Sequence, residues 1–223
     1  MPTVTTGRTL GADGEPIAGT GFTLDTEGDL AELLRCRVGP LTSHPTRETW
    51  AAPLVDTPDR YRTVSLFGPG YDGPPEHYHE VSTERFEVRR GSVAFEVDGE
   101  VQRVTAGEAF TVPTGTRHSF RSVGDEHAVV LTEITPPGRI RHVLPTLGGI
   151  AHDDAVDADS RLQCAVIADR LARDTVFTET DPRLTRPLSA LLSPVARLAG
   201  YRGGYAKYDS EGFWSRHVEQ PRW

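Results

Sequence analysis

A series of short β-type runs separated by turn residues extends from Tyr61 to Ile134, and it constrains the fold more than any other feature of the sequence. Between Glu84 and Arg90 the even-numbered residues share one face of an extended strand, and the charged residues 85, 87 and 89 share the other. Asp98-Gly99 is a dipeptide that suits a two-residue hairpin turn of type I′. Strands this short, joined by turns this tight, favour antiparallel pairing over βαβ units. The sequence therefore predicts a mainly β chain built around an antiparallel β-barrel.

The segments on either side of this region differ from it in composition and in hydrophobic pattern, and they divide the chain into three parts. Residues 1–58 are rich in Gly, Thr, Pro and Asp and are predicted to form an N-terminal arm, and residues 59–136 are predicted to form the barrel. Residues 137–223 are predicted to form a helical extension packed on the barrel. Ser160 has the spacing of a capping box ahead of a helix over 162–173. A second, amphipathic helix is predicted to start near Pro187 and to end at Gly200, and Pro194 is expected to kink or shorten it.

Composition argues against several classes of partner. No apolar run approaches the roughly 20 residues that a membrane span requires. The first residues lack the apolar core of a secretory signal, so we expect a cytoplasmic protein. The formal net charge is −8, and no basic stripe is present that could neutralise phosphates, so we expect no nucleic-acid partner.

Four side chains of metal-binding types are predicted to point into the barrel. His77 and His79 are two residues apart, so on an extended strand both imidazoles project to the same side. Glu84 lies on the apolar face of its strand, where a carboxylate is costly unless it is paired, protonated or bound to a metal. His118 shares a face with Phe120 and also points inward. Three imidazoles and one carboxylate in an apolar cavity suit a first-row transition ion.

The spacing of these residues resembles the two motifs of the cupin superfamily. The first motif is matched by His77 and His79, four intervening residues, Glu84, six further residues and Gly91. A leading glycine is expected six residues before the first histidine, but Tyr71 occupies that place.

The second motif is matched by Gly107, five residues, Pro113-Thr114-Gly115, two residues and His118. Ser122 stands where the family has an asparagine, in a chain that contains no asparagine at all. The asparagine is not a metal ligand in the family, so neither departure changes a ligand. The resemblance covers about residues 60 to 135.

This resemblance implies a jelly-roll barrel in which His77, His79, Glu84 and His118 hold one divalent ion of iron, manganese, nickel, cobalt, copper or zinc. An ion that prefers six ligands would keep two open positions for a small organic substrate or for dioxygen. We expect a metal-dependent enzyme, with quercetinase-like dioxygenase chemistry favoured over a redox-neutral isomerase, cyclase or decarboxylase. Resemblance to dioxygenase members also suggests that Glu84 leaves the metal and acts as a catalytic base.

Alternatives remain open at the level of the sequence. A non-catalytic cupin could use the metal and the barrel only to build a binding or sensing pocket for a small molecule. The resemblance also suggests a homodimer, with the N-terminal strands or the C-terminal helices at its interface. The helix near residue 190 carries a row of leucines, which is expected to pack against the barrel or a partner subunit. Contact of this row with a membrane surface is the less frequent alternative.

Overall fold

The structure is a computed structural model that describes residues 2–223. Its strands, in chain order, are β1 (Thr3–Thr6), β2 (Phe22–Asp25), β3 (Thr42–His44), β4 (Arg47–Asp56), β5 (Tyr61–Phe67), β6 (His77–His79), β7 (Thr83–Arg90), β8 (Ser92–Val97), β9 (Glu100–Thr105), β10 (Ala109–Val112), β11 (His118–Ser122), β12 (Ala128–Thr135) and β13 (Thr175–Phe177). Its α-helices are α1 (Asp29–Arg35), α2 (Ile140–His152), α3 (Arg161–Leu171), α4 (Pro182–Leu198) and α5 (Glu211–His217), and a 3₁₀ turn covers Ala206–Asp209.

Two antiparallel sheets form the barrel. The first has the strand order β10-β7-β12-β5-β4-β3, and the second has the order β13-β6-β11-β8-β9. Side chains from both sheets meet in one apolar core, among them Phe86 and Val130 from the first sheet and Phe95 from the second. At the β8–β9 turn, Asp98 and Gly99 both have positive φ, as a type I′ turn requires. The predicted mainly β, antiparallel jelly-roll architecture with C-terminal helices is confirmed.

The first sheet begins upstream of residue 59, where the barrel was predicted to start. β4 pairs with β5 from the Thr49–Phe67 contact to the Asp56–Tyr61 contact, and β3 extends the sheet by one more strand. Part of the segment predicted as an arm therefore contributes strands to the barrel sheet. The division of the chain into an arm, a barrel and a helical extension as separate units stays a prediction.

A second apolar core lies on the outer face of the first sheet. Val64 and Val129 point outward from β5 and β12 and are buried against the N-terminal segment and the C-terminal helices, which contribute Phe22, Leu34 and Trp214 among others. Because β5 and β12 are covered on both faces, they carry apolar residues on both faces. Apolar and polar residues therefore alternate less along these two strands than along β7.

The C-terminal helices follow the sequence prediction in part. Ser160 caps α3 by accepting a hydrogen bond from the backbone N–H of Leu162, as the capping-box spacing predicted. α4 begins at Pro182 rather than near Pro187, because Asp181 provides the N-cap, and it continues through Pro194 without being shortened. None of the helices within residues 2–223 has the length and apolar character needed to cross a bilayer.

Candidate metal centre

Three histidines lie side by side on the inner face of the second sheet. His77 and His79 alternate with Tyr78 along β6, so their rings project to the same side. β11 pairs with β6 so that His118 lies directly opposite His77. The ring centroids of His77 and His118 are 4.3 Å apart, and those of His77 and His79 are 5.1 Å apart. Period-two geometry and one cross-strand pair thus bring the three imidazoles together.

Glu84 reaches this cluster from the opposite sheet. It lies near the start of β7, where it pairs with Val112 of β10 and Ile134 of β12. Its Oε2 atom is 3.0 Å from Nε2 of His79 and 3.1 Å from Nε2 of His118. The cluster therefore lies between the two sheets, and its position depends on how they face each other.

The Nδ1 atom of each histidine forms a hydrogen bond with a neighbouring group. Nδ1 of His77 is 2.9 Å from the carbonyl oxygen of Pro75, and Nδ1 of His118 is 3.0 Å from that of Thr116. A carbonyl oxygen only accepts, so both Nδ1 atoms carry a proton and donate it. These contacts orient the rings so that their Nε2 atoms face the centre, as the outer partners of metal-binding histidines do.

Glu84 and the imidazoles change one another's pKa values. Burial by itself raises the pKa of Glu84, but hydrogen bonds from His118 and His79 outweigh burial and hold the pKa well below its usual range. Burial by itself lowers the pKa of His118, but the hydrogen bond and charge of Glu84 outweigh it and raise the pKa. The contact between Glu84 and His118 thus favours the charged form of each side chain.

His77 behaves differently from His118. Burial, together with the neighbouring His118, lowers the pKa of His77 to about 4. His77 is thus neutral at pH 7, and because its Nδ1 atom donates to Pro75, its lone pair is on Nε2. A neutral imidazole with Nε2 directed at the cluster is the form that binds a metal ion.

The four side chains fit a single metal ion. One donor atom from each lies within 4.8 Å of the others, and all four residues are buried. An ion in this position would supply positive charge to the Glu84 carboxylate. The mixture of imidazole nitrogens and one carboxylate suits first-row transition ions and leaves the choice among them open.

Aromatic side chains lie on β13 beside the cluster and on β11 next to it in sequence. The ring centroid of Phe177 on β13 is 5.9 Å from that of His77. Phe120 lies two residues beyond His118 and packs against Phe86 and Phe95 in the barrel core. The four side chains of the cluster are at most 7% exposed, so charge interactions among them are weakly screened by water.

Thr175 contacts the cluster and was not predicted from the sequence. β13 pairs with β6 so that Thr175 lies opposite His79, and its Oγ1 atom is 3.0 Å from Nδ1 of His79. The only local signal for this strand is the run Thr175-Val176-Phe177, which is rich in β-branched and aromatic residues. Three residues are too few for a periodic pattern, so the spacing of the sequence does not predict this strand.

Comparison with known families agrees with this geometry. Residues 63–134 match the sequence model of the family described as Cupin domain, and this range includes all four clustered residues. Quercetin 2,3-dioxygenase of Bacillus subtilis (strain 168) is 32% identical over 93 residues, which are 42% of this chain and 27% of that protein. Polyketide synthase CurC of Streptomyces cyaneus is 38% identical over 61 residues, which are 27% of this chain and 40% of that protein. The chain thus spans well under half the length of either relative.

Solved structures that resemble this chain match it over part of its length. The structure of KdgF from Halomonas sp. is 26% identical with a TM-score of 0.37, and the match covers 40% of this chain and 80% of that one. Thr175 and the rest of β13 lie outside the range that the family model matches.

Proposed function

We propose that this chain, which is a member of the cupin superfamily through its domain at residues 63–134, is a metal-dependent enzyme. Its substrate is a small organic molecule. His77, His79, Glu84 and His118 are the proposed ligands of one divalent transition ion. Dioxygenase chemistry is favoured over redox-neutral isomerisation, cyclisation or decarboxylation, on the support of the similarity to quercetin 2,3-dioxygenase.

One observation carries the proposal. Three imidazoles, each with its Nδ1 atom occupied by a separate neighbour, converge with a buried carboxylate that comes from the opposite sheet. A barrel that used these histidines only for packing would not require all three Nε2 atoms to face one point. An ion bound there would supply Lewis-acid polarisation of a substrate oxygen or one-electron exchange with dioxygen.

Glu84 is the proposed proton acceptor. Its pKa is low because His118 and His79 donate to it in spite of its burial. With an ion bound, the imidazoles would direct their Nε2 lone pairs at the cation and would no longer donate to Glu84, and the cation would supply the positive charge instead. A Glu84 carboxylate that leaves the ion would lose this charge as well, and its burial would then raise its pKa. In that position it could take a proton from a substrate hydroxyl.

Elemental analysis of the purified protein beside a His77→Ala/His79→Ala double variant tests the metal site. About one equivalent of a transition ion in the native chain, lost in the double variant, is expected. His142→Ala is the control, since His142 lies outside the cluster and outside both motifs. Absence of metal from the native protein after incubation with iron, manganese, nickel, cobalt, copper and zinc contradicts the proposal.

The reaction is tested by oxygen consumption of the iron-loaded protein with a panel of phenols, diketones and flavonoids. Glu84→Gln keeps the size of the side chain and removes its basicity, so turnover is expected to fall at least 100-fold for a general base. A variant that retains both its metal and its turnover shows that Glu84 is not the base.

The enclosure of the cluster supports a second candidate, a non-catalytic cupin that binds or senses a small molecule. His79 and His118 are only 3% and 1% exposed, so a centre of this kind could hold a ligand without turnover. Tight binding of a panel compound with no oxygen uptake and no product would favour this second candidate.

A further inference from the structure

The outward face of α4 carries an unbroken apolar stripe. Leu184 and Leu191 are 71% and 73% exposed, and Leu198 is 90% exposed. Leu188 and Val195 fall between them and are also exposed. A stripe of this length on a charged, water-facing molecule marks an interaction surface.

The stripe cannot be removed from water by rotation of the helix. The opposite face of α4 presents the small residues Ser189, Ser193 and Ala196, which are buried where α4 packs on α3. Ser193 donates a hydrogen bond of 2.7 Å to Asp169 of α3, and Arg197 donates one of 3.0 Å to the same carboxylate. These contacts hold α4 with its apolar stripe outward.

We propose that this stripe, Leu184, Leu188, Leu191, Val195 and Leu198, pairs with the same stripe of a second copy of the chain in an antiparallel helix pair. Its members are separated by four, three, four and three residues. This is the repeat with which one helix packs along another. The spacing is nearly symmetric about Leu191, so a two-fold axis there sets Leu184 opposite Leu198 of the partner subunit and pairs the two Leu191 side chains.

The area of the stripe fits a dimer. The exposed parts of its five residues amount to about 600 Å² per copy, so complete burial of the stripe in two copies would remove about 1,200 Å² from water, the lower limit of stable protein–protein interfaces. The stripe itself contains no charged residue, so the pairing of two copies brings no like charges together.

Charge disfavours a membrane surface as the occupant. α4 has three arginines, and Arg186 and Arg197 are already paired with Glu80 and Asp169. Only Arg183 is left to attract anionic headgroups, in a chain whose formal net charge is −8. Helices that lie on membranes need a strongly basic polar face, which α4 lacks.

The test is the mass of the full-length protein in solution at about 20 μM, by sedimentation velocity and light scattering. The native chain is expected to have twice the mass of one chain. Leu191→Glu places a charge on the two-fold axis and is expected to raise the dissociation constant at least 100-fold. Val101→Glu, at an exposed apolar position on β9, is the control and is expected to leave the dimer unchanged.

A compensating pair tests the register. Leu184→Glu is expected to dissociate the dimer, and the addition of Leu198→Arg is expected to restore it, because the two positions face each other across the axis. Circular dichroism of each variant shows whether the fold is kept. A monomeric native protein overturns the proposal, and so does a Leu191→Glu variant that stays dimeric. Sedimentation of native monomers with anionic phosphatidylserine vesicles overturns it in favour of a membrane contact.

Discussion

At the scale of single residues, His79 differs from the other two histidines of the cluster in the group that holds its Nδ1 atom. His77 and His118 each donate to a backbone carbonyl, whereas His79 contacts the hydroxyl of Thr175. A hydroxyl can donate or accept, so Thr175 can pair with His79 whether Nδ1 carries a proton or a lone pair. When Nε2 of His79 binds a cation, Nδ1 must carry the proton, and Thr175 becomes its acceptor.

Thr175→Val is expected to weaken metal binding about 10-fold, because valine keeps the shape of threonine and removes the acceptor for His79. The dissociation constant of the metal is measured by competition with a chelator. Thr175→Ser is the matched control and is expected to retain native affinity, since it restores the hydroxyl. Equal affinity in the valine and serine variants would show that Thr175 serves only in packing.

At the scale of secondary-structure elements, the turn before β6 determines how closely the chain approaches β11. Gly70 and Gly73 both have positive φ in this turn. A Cβ atom added at Gly73 would lie 1.8 Å from the carbonyl oxygen of Phe120, whereas one added at Gly70 would meet nothing within 4 Å. Phe120 is two residues from His118 on β11, so this contact bears on the position of the cluster.

Gly73→Ala is expected to cost several kcal/mol of unfolding free energy, since β11 must move in addition to the strain of positive φ. Gly70→Ala has the same backbone strain without the overlap and is expected to cost about 1–2 kcal/mol. Urea denaturation measures both free energies of unfolding. If the two variants lose the same stability, the close approach at Gly73 is not the cause.

At the scale of the whole molecule, a cluster of half-buried histidines joins the C-terminal helices to the first sheet. Nε2 of His152, at the end of α2, is 3.1 Å from Oγ of Ser43 on β3, and its ring lies 5.7 Å from that of His217 on α5. Burial lowers the pKa of His152 to about 4, and the neighbouring His217 and His44 add to this effect. Burial also lowers the pKa values of His44 and His217.

The protein is expected to lose stability as the pH falls from about 6.5 to about 4. In this window the unfolded chain binds a proton at residue 152 that the folded chain excludes, so acid favours unfolding. For His152, which is partly exposed, the loss is on the order of 1–2 kcal/mol. Urea denaturation of the native protein and of His152→Gln, from pH 7.5 to 4, measures it. A variant with the native pH dependence would exclude His152 as its source.

The local pattern of the sequence was sufficient to predict the barrel strands and to single out four residues that the structure brings together. Alternation at Glu84–Arg90 and the Asp98-Gly99 turn are local signals, because a strand with one buried face must alternate and a two-residue hairpin needs positive φ. The spacing of His77, His79, Glu84 and His118 likewise needed no tertiary information. Their role as ligands remains a prediction for the metal analysis to test.

Only the tertiary structure decided which distant segments pack against the barrel. The helix α2 contains Pro145 and two adjacent glycines, which argue locally against a helix, yet Gly148 and Gly149 let β3 and Tyr208 pack closely against it. β13 is too short to show a pattern, and it forms because the edge of β6 offers unpaired backbone groups to a segment about 100 residues away. Periodicity thus determined the faces of strands and helices, whereas contacts between distant segments determined their partners.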